Sequence, residues 1–208
     1  MTAAGSDVEV YPVNFPVVAL VASSGGLSVL IRILSLLPPD IPASLLVSLH
    51  QQPDRPSELA GLLAGHAALP VRPAGDGDHL DVGKVLVVPP GRHLIVTSAA
   101  TIGLLPTGAA PPSRPSADLL LATLAVTCGP HALGVVLSGY GHDGQAGVRA
   151  IVRCGGTVLA QDRGSSPQFG MPGAAIDTNL VRDIDILPPE GIAAAITAHA
   201  HGQRPPPA

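Results

Sequence analysis

The stretch VVALVASSGGLSVLIRIL, Val17 to Leu34, decides the fold. Val17–Ala22 is apolar at every position, so neither face of this segment is meant for water. Such a run reads as a strand covered on both sides. Ser23, Ser24, Gly25 and Gly26 interrupt it, and GLSVLIRILSLLP then reads as a helix that stops at Pro38. Strand, tight turn and helix form the first half of a parallel β–α–β unit.

The same alternation continues along the chain. ASLLVSLH (Ala43–His50) reads as a strand, and PSELAGLLAGH (Pro56–His66) as a helix with Pro56 in its first turn. SADLLLATLAVTCG (Ser116–Gly129) has a serine to open a helix and a glycine to close it. ALGVVLSG, GTVLAQ and DIDILP read as further strands. GQAGVRAIVRCG, part of FGMPGAAIDTNL, and PEGIAAAITAHA read as further helices. Lys84–Leu105 has short β-type runs around turn residues and is predicted as an antiparallel insertion at one sheet edge. The expected fold class is α/β: a doubly wound, mostly parallel sheet with helices on both faces and an antiparallel β-hairpin insertion. One domain, 17–200, is expected between a short, loosely ordered lead, 1–16, and a disordered Pro-rich tail, 201–208.

Composition narrows the function classes. The 208 residues are 46% hydrophobic and only 2% aromatic, so the core is built from Ala, Val, Leu and Ile. A net charge of −4 leaves no basic footprint for nucleic acid. No apolar run reaches about 18 residues, so no membrane insertion is expected, and the N-terminus lacks a signal-peptide pattern. Cys128 and Cys154 form no CxxC pair, which suits a reducing cytoplasm. Neither HExxH nor a Cys/His set is present, so no metal and no cofactor are expected. A monomer is expected.

In open α/β sheets, functional groups collect beyond the carboxyl ends of the parallel strands. There the sequence places Ser23 and Ser24 after the first strand, His50 at the end of the second, and His142 and Asp143 after ALGVVLSG. Hydroxyl, imidazole and carboxylate on one rim are the inventory of a Ser-His-Asp triad. The imidazole takes the serine proton and the carboxylate fixes the imidazole. The N–H groups that open the helix after SSGG have no partner within the helix and suit an oxyanion. Taken singly, each residue has a plainer reading: SSGG as a capped turn, His50 as a strand-end hydrogen-bonding group, Asp143 as a turn residue or helix cap. The chain order Ser, His, Asp and the lack of GxSxG set it apart from α/β-hydrolases.

ALVASSGGLSVL, LLVSLHQQPDRPSELAGLL, GHDGQAG and FGMPGAAI together resemble the catalytic domain of the CheB-type chemotaxis protein-glutamate methylesterases. The family patterns are IGASTGG, QHM, GMGNDGAxG and FGMP. GDGDHLDVGKVLVVPPGRHL and SRPSADLL are similar to further family motifs, so the likeness runs from about Val17 to about Ala198. The resemblance implies Ser23 as nucleophile, His50 as base and Asp143 as its partner. It implies Ser24 as an oxyanion donor and Tyr140 in a loop bordering the site. It implies hydrolysis of glutamyl methyl esters on the cytoplasmic domain of methylated chemoreceptors, releasing methanol, and deamidation of certain glutamines. Three departures stand out: Val21 replaces a glycine and is expected to crowd the turn, LHQ replaces QHM, and His142 replaces an asparagine. The family's receiver domain does not fit in sixteen leading residues, so the chain is expected to be a stand-alone esterase domain, an excised fragment, or a protein controlled by a separate receiver-type regulator. Two other classes stay open: a related serine hydrolase acting on another ester or amide, and a non-catalytic signalling module.

Overall fold

β1 (Val17–Ala22) lies at the centre of the molecule, with every residue buried. The computed structural model describes residues 11–108 and 113–203. β1 pairs in parallel with β2 (Ser44–Leu49) on one side and with β7 (Ala132–Val136) on the other. Beyond β2 come β4 (Lys84–Val87) and β3 (Val71–Pro73); beyond β7 come β8 (Thr157–Gln161) and β9 (Ile186–Leu187). The seven strands run in the order β3-β4-β2-β1-β7-β8-β9, and every pairing is parallel.

The two-residue period of a strand divides the core in two. Val17, Ala19 and Val21 face α3 (Ala117–Cys128) and α4 (Gln145–Arg153), in a cluster that includes Leu121, Leu124 and Ile151. Val18, Leu20 and Ala22 face α1 (Gly26–Leu36) and α6 (Pro189–Ala200), in a cluster with Leu30, Ile33 and Ile192. Burying a Leu or Ile side chain stabilises by about 1.5–3 kcal/mol. With almost no aromatic residues, stability here rests on many such aliphatic contacts. α2 (Leu59–Ala64) packs on the α1 face, and α5 (Gly170–Ile176) on the α4 face.

The sequence reading needs three corrections. Lys84–Leu105 is not one antiparallel insertion: β4 joins the parallel sheet beside β2. Only β5 (Arg92–Val96) and β6 (Ile102–Pro106) form the antiparallel hairpin, as a separate two-stranded sheet. α2 begins at Leu59, not Pro56, after the Ser57 hydroxyl accepts the Leu59 N–H. Finally, Val13 is buried and Phe15 packs against the core, so residues 11–16 of the expected loose lead are anchored. The rest of that lead, and 204–208 of the expected tail, lie outside the described residues.

Candidate active site

The strand register builds the site. Ala22 stands opposite Leu49, so Ser23 and His50, the next residues of each strand, emerge side by side. The His50 N–H donates to the Ala22 carbonyl at 3.0 Å and continues the ladder by one bond. On the other flank, Leu137 N–H donates to Val21 O at 2.9 Å, and Ser23 N–H donates to Ser138 O at 2.8 Å. The loop from Gly139 to Asp143 therefore borders the same turn. Strand order reverses between β1 and β7, which is where open α/β sheets hold their ligands.

His50 and Asp143 meet directly, Nε2 to Oδ2 at 2.8 Å. Their side chains are 18% and 7% exposed, so the pair sits at the floor of the rim. The Asp143 carboxylate also lies at the N-terminus of α3. It accepts the N–H of Ala117 at 2.8 Å and of Asp118 at 3.1 Å, and the Ser116 hydroxyl at 3.4 Å. A helix N-terminus offers free N–H groups and favours an anion. Burial pushes the Asp143 pKa up, but the bonds from His50, Ala117 and Asp118 outweigh it, and the carboxyl lies below its ordinary value. It is an anion held in place from two sides. Behind it, the buried His93 accepts the Ser116 N–H on Nδ1 at 2.9 Å, and burial lowers its pKa against the pull of the Asp143 charge.

Ser138 holds the Ser23–Ser24 turn from behind. Its carbonyl takes the Ser23 N–H, and its hydroxyl donates to the Ser24 carbonyl at 2.9 Å. That hydroxyl also accepts the Gln168 N–H at 3.0 Å, and Gln161 Oε1 accepts the Ser138 N–H at 2.9 Å. Gly25 turns the chain into α1 with φ +76, and a Cβ there would stand 2.7 Å from Pro167 Cβ. Gly139 lies against Ser23: a Cβ on it would fall 2.7 Å from Ser23 Cβ and would meet the Met171 sulfur. Among the described residues, the Ser23 hydroxyl and the N–H groups of Ser24 and Tyr140 take no hydrogen-bond partner, so they are open to an incoming group.

All five residues singled out in the sequence thus lie on one rim. His50 and Asp143 are bonded, Ser23 stands beside His50 by register, Ser24 is exposed in the turn, and Tyr140 is 64% exposed on the facing loop. At the departure Val21, expected to crowd the turn, the side chain is fully buried in the α3–α4 half of the core and β1 keeps its register. His142 is exposed. Sequence reasoning missed Ser138 and Gln161, both completely buried. The available signal was a polar residue ending each of two otherwise apolar strand segments. Among the described residues, no group of three or more His, Cys, Asp or Glu is arranged to hold a metal ion.

Comparison with known proteins gives a consistent picture. The family described as CheB methylesterase matches residues 18–196. A Moorella thermoacetica protein-glutamate methylesterase/protein-glutamine glutaminase is 40% identical over 89% of this chain and 44% of its own length. A protein of the same name, numbered 4, from Myxococcus xanthus is 40% identical over 83% of this chain and 49% of its own. The chain spans about half the length of the curated relatives it matches. The Thermotoga maritima CheB methylesterase catalytic domain superposes with a TM-score of 0.84 at 28% identity, over 90% of this chain and all of that one. With its parallel sheet, its separate hairpin and its rim of serine, histidine and aspartate, this chain belongs to the CheB methylesterase family.

Proposed function

We propose that this chain is a protein-glutamate methylesterase of the serine hydrolase type, with Ser23, His50 and Asp143 as its triad. The observation that carries the reading is the 2.8 Å bond from His50 to Asp143, with Ser23 next to His50 in the strand register. Asp143 accepts Nε2–H, which leaves the Nδ1 lone pair as the proton acceptor for Ser23.

Ser23 Oγ attacks the ester carbonyl as its proton passes to His50. The negative charge that collects on the carbonyl oxygen meets the unpartnered N–H groups of Ser24 and Tyr140. Such donors are worth about 3–4 kcal/mol each in comparable sites. The C–O bond to the methoxy group then breaks, and His50 returns its proton to release methanol. Water repeats the sequence on the acyl-enzyme and leaves a glutamate carboxylate. Glutamine follows the same path with ammonia as the leaving group, which accords with the double name of the curated relatives. The protein substrate is the methylated cytoplasmic domain of a chemoreceptor, and the enzyme works as a cytoplasmic monomer. No helix among the described residues is long and apolar enough to cross a membrane.

The test is methanol release from membranes carrying methylated chemoreceptors, with wild type against Ser23→Ala. Release by wild type that is lost in the variant supports both reaction and nucleophile. No release by either removes the methylesterase reading for that receptor.

A further inference from the structure

Beside the triad rim lies an open pocket of about 510 Å³ that the chemistry above does not use. Its wall includes His142, Arg163, Phe169 and Asp177. Phe169 reaches it by way of the site itself: it pairs as an isolated β-bridge with Gly139, the residue packed against Ser23. The guanidinium of Arg163 lies over the Phe169 ring, 4.1 Å from its centroid. Stacking on an aromatic face holds a guanidinium flat and leaves its edge N–H groups free to bind. Arg163 takes no carboxylate partner among the described residues, not even Asp177 in the same wall. The exposed His142 imidazole lies immediately before Asp143. Gln145, also in the wall, is already engaged, donating to the Ala174 carbonyl at 3.1 Å.

We infer that this pocket is a specificity subsite for an acidic side chain of the substrate protein, close in space to the esterified residue, with Arg163 as its anchor. Planar guanidinium and carboxylate match in two parallel hydrogen bonds, and an arginine already flattened on a ring loses less freedom in making them. The inference rests on the methylesterase reading in one respect: the substrate is a polypeptide whose ester sits at Ser23. A product glutamate left by an earlier turnover carries the group this subsite accepts, so hydrolysis at one position favours the next.

The experiment uses two synthetic peptides with one glutamyl methyl ester each, identical except for flanking Glu in one and Gln in the other. Binding is measured by fluorescence titration on Ser23→Ala, and methanol release on the protein with Ser23 intact. The acidic peptide is expected to bind about fivefold tighter, as for one partly exposed ion pair. In the Ser23→Ala background, Arg163→Gln brings that ratio close to one. Equal binding of the two peptides, or a preference that survives Arg163→Gln, overturns the subsite. A preference in binding without methanol from either peptide supports the subsite and counts against the methylesterase reading, so the two failures are distinct.

Discussion

Asp118 and Asp143 cap each other's helices. Asp143, just before α4, accepts N–H groups from the first turn of α3. Asp118, in that first turn, accepts the Gly147 N–H of α4 on Oδ1 at 2.8 Å. The exchange ties the two helices together at the rim and fixes the carboxylate that holds His50.

Asp143→Asn is expected to lower turnover by about 10⁴-fold, because an amide does not impose the same imidazole tautomer. It also bears on stability. The folded pKa of Asp143 is depressed below its ordinary value of 3.8. Its contribution is therefore fully present above about that pH and is lost as pH falls through the lower folded value. Urea unfolding of both proteins between neutral pH and strong acid tests the sign: the wild-type advantage shrinks only below about pH 4.

Asp118→Ala removes a helix cap and is expected to cost about 1 kcal/mol, with Asp118→Asn recovering most of it through its remaining acceptor oxygen. Burial, the largest influence, raises the Asp118 pKa, and the neighbouring Asp143 charge raises it further, against the N–H bonds of Gly147, Gly144 and Ala146. A raised acid favours the fold in its protonated form, so its effect runs opposite to that of Asp143: stability falls as pH rises from 3.8 to the folded value. Asn at this position flattens that segment of the stability curve.

Ser138→Ala leaves the Ser24 carbonyl and the Gln168 N–H without their buried partner, at a cost of about 1–3 kcal/mol. The peptide between Ser24 and Gly25 then loses its fixed orientation, and labelling of Ser23 by a fluorophosphonate is expected to slow about tenfold. Ser138→Thr keeps the hydroxyl and is expected to restore the labelling rate. A merely structural role would lower the melting temperature and leave the labelling rate of the folded protein unchanged.

Gly139→Ala puts a methyl group 2.7 Å from Ser23 Cβ and against the Met171 sulfur. Overpacking of this kind costs about 1–3 kcal/mol. Because one of the two neighbours is Ser23, the proposed nucleophile, methanol release is expected to fall by more than the loss of folded protein explains. Circular dichroism and methanol release on the same sample check this.

β1 was legible to the residue, because six apolar positions lie between Pro16 and two serines, and its helix and the Ser116 cap followed from local chemistry. Of the site, Ser23, His50 and Asp143 were legible because each ends a strand segment or follows one. β3 was not: it has three residues, ends in Pro73, and is mostly exposed, so no apolar run marks it. β4 reads as half of a hairpin because VLVVPPG is a turn between apolar runs, and only its neighbour β2 decides that it pairs in parallel. The clamp of Ser138 on Ser24 spans 114 residues, and no local pattern encodes a partner that far away.

The bond between His50 and Asp143 joins residues 93 positions apart. Contacts across so long a loop are entropically costly to close and form after local ones. A chain still emerging from the ribosome has its SSGG turn and His50 long before Asp143 is made. Until β7 is laid beside β1, the imidazole has no carboxylate to align it, and the serine has no loop to shape its surroundings. The proposed reactive centre therefore waits on the pairing of β7 with β1, and a chain that ends before Asp143 lacks one of its three members.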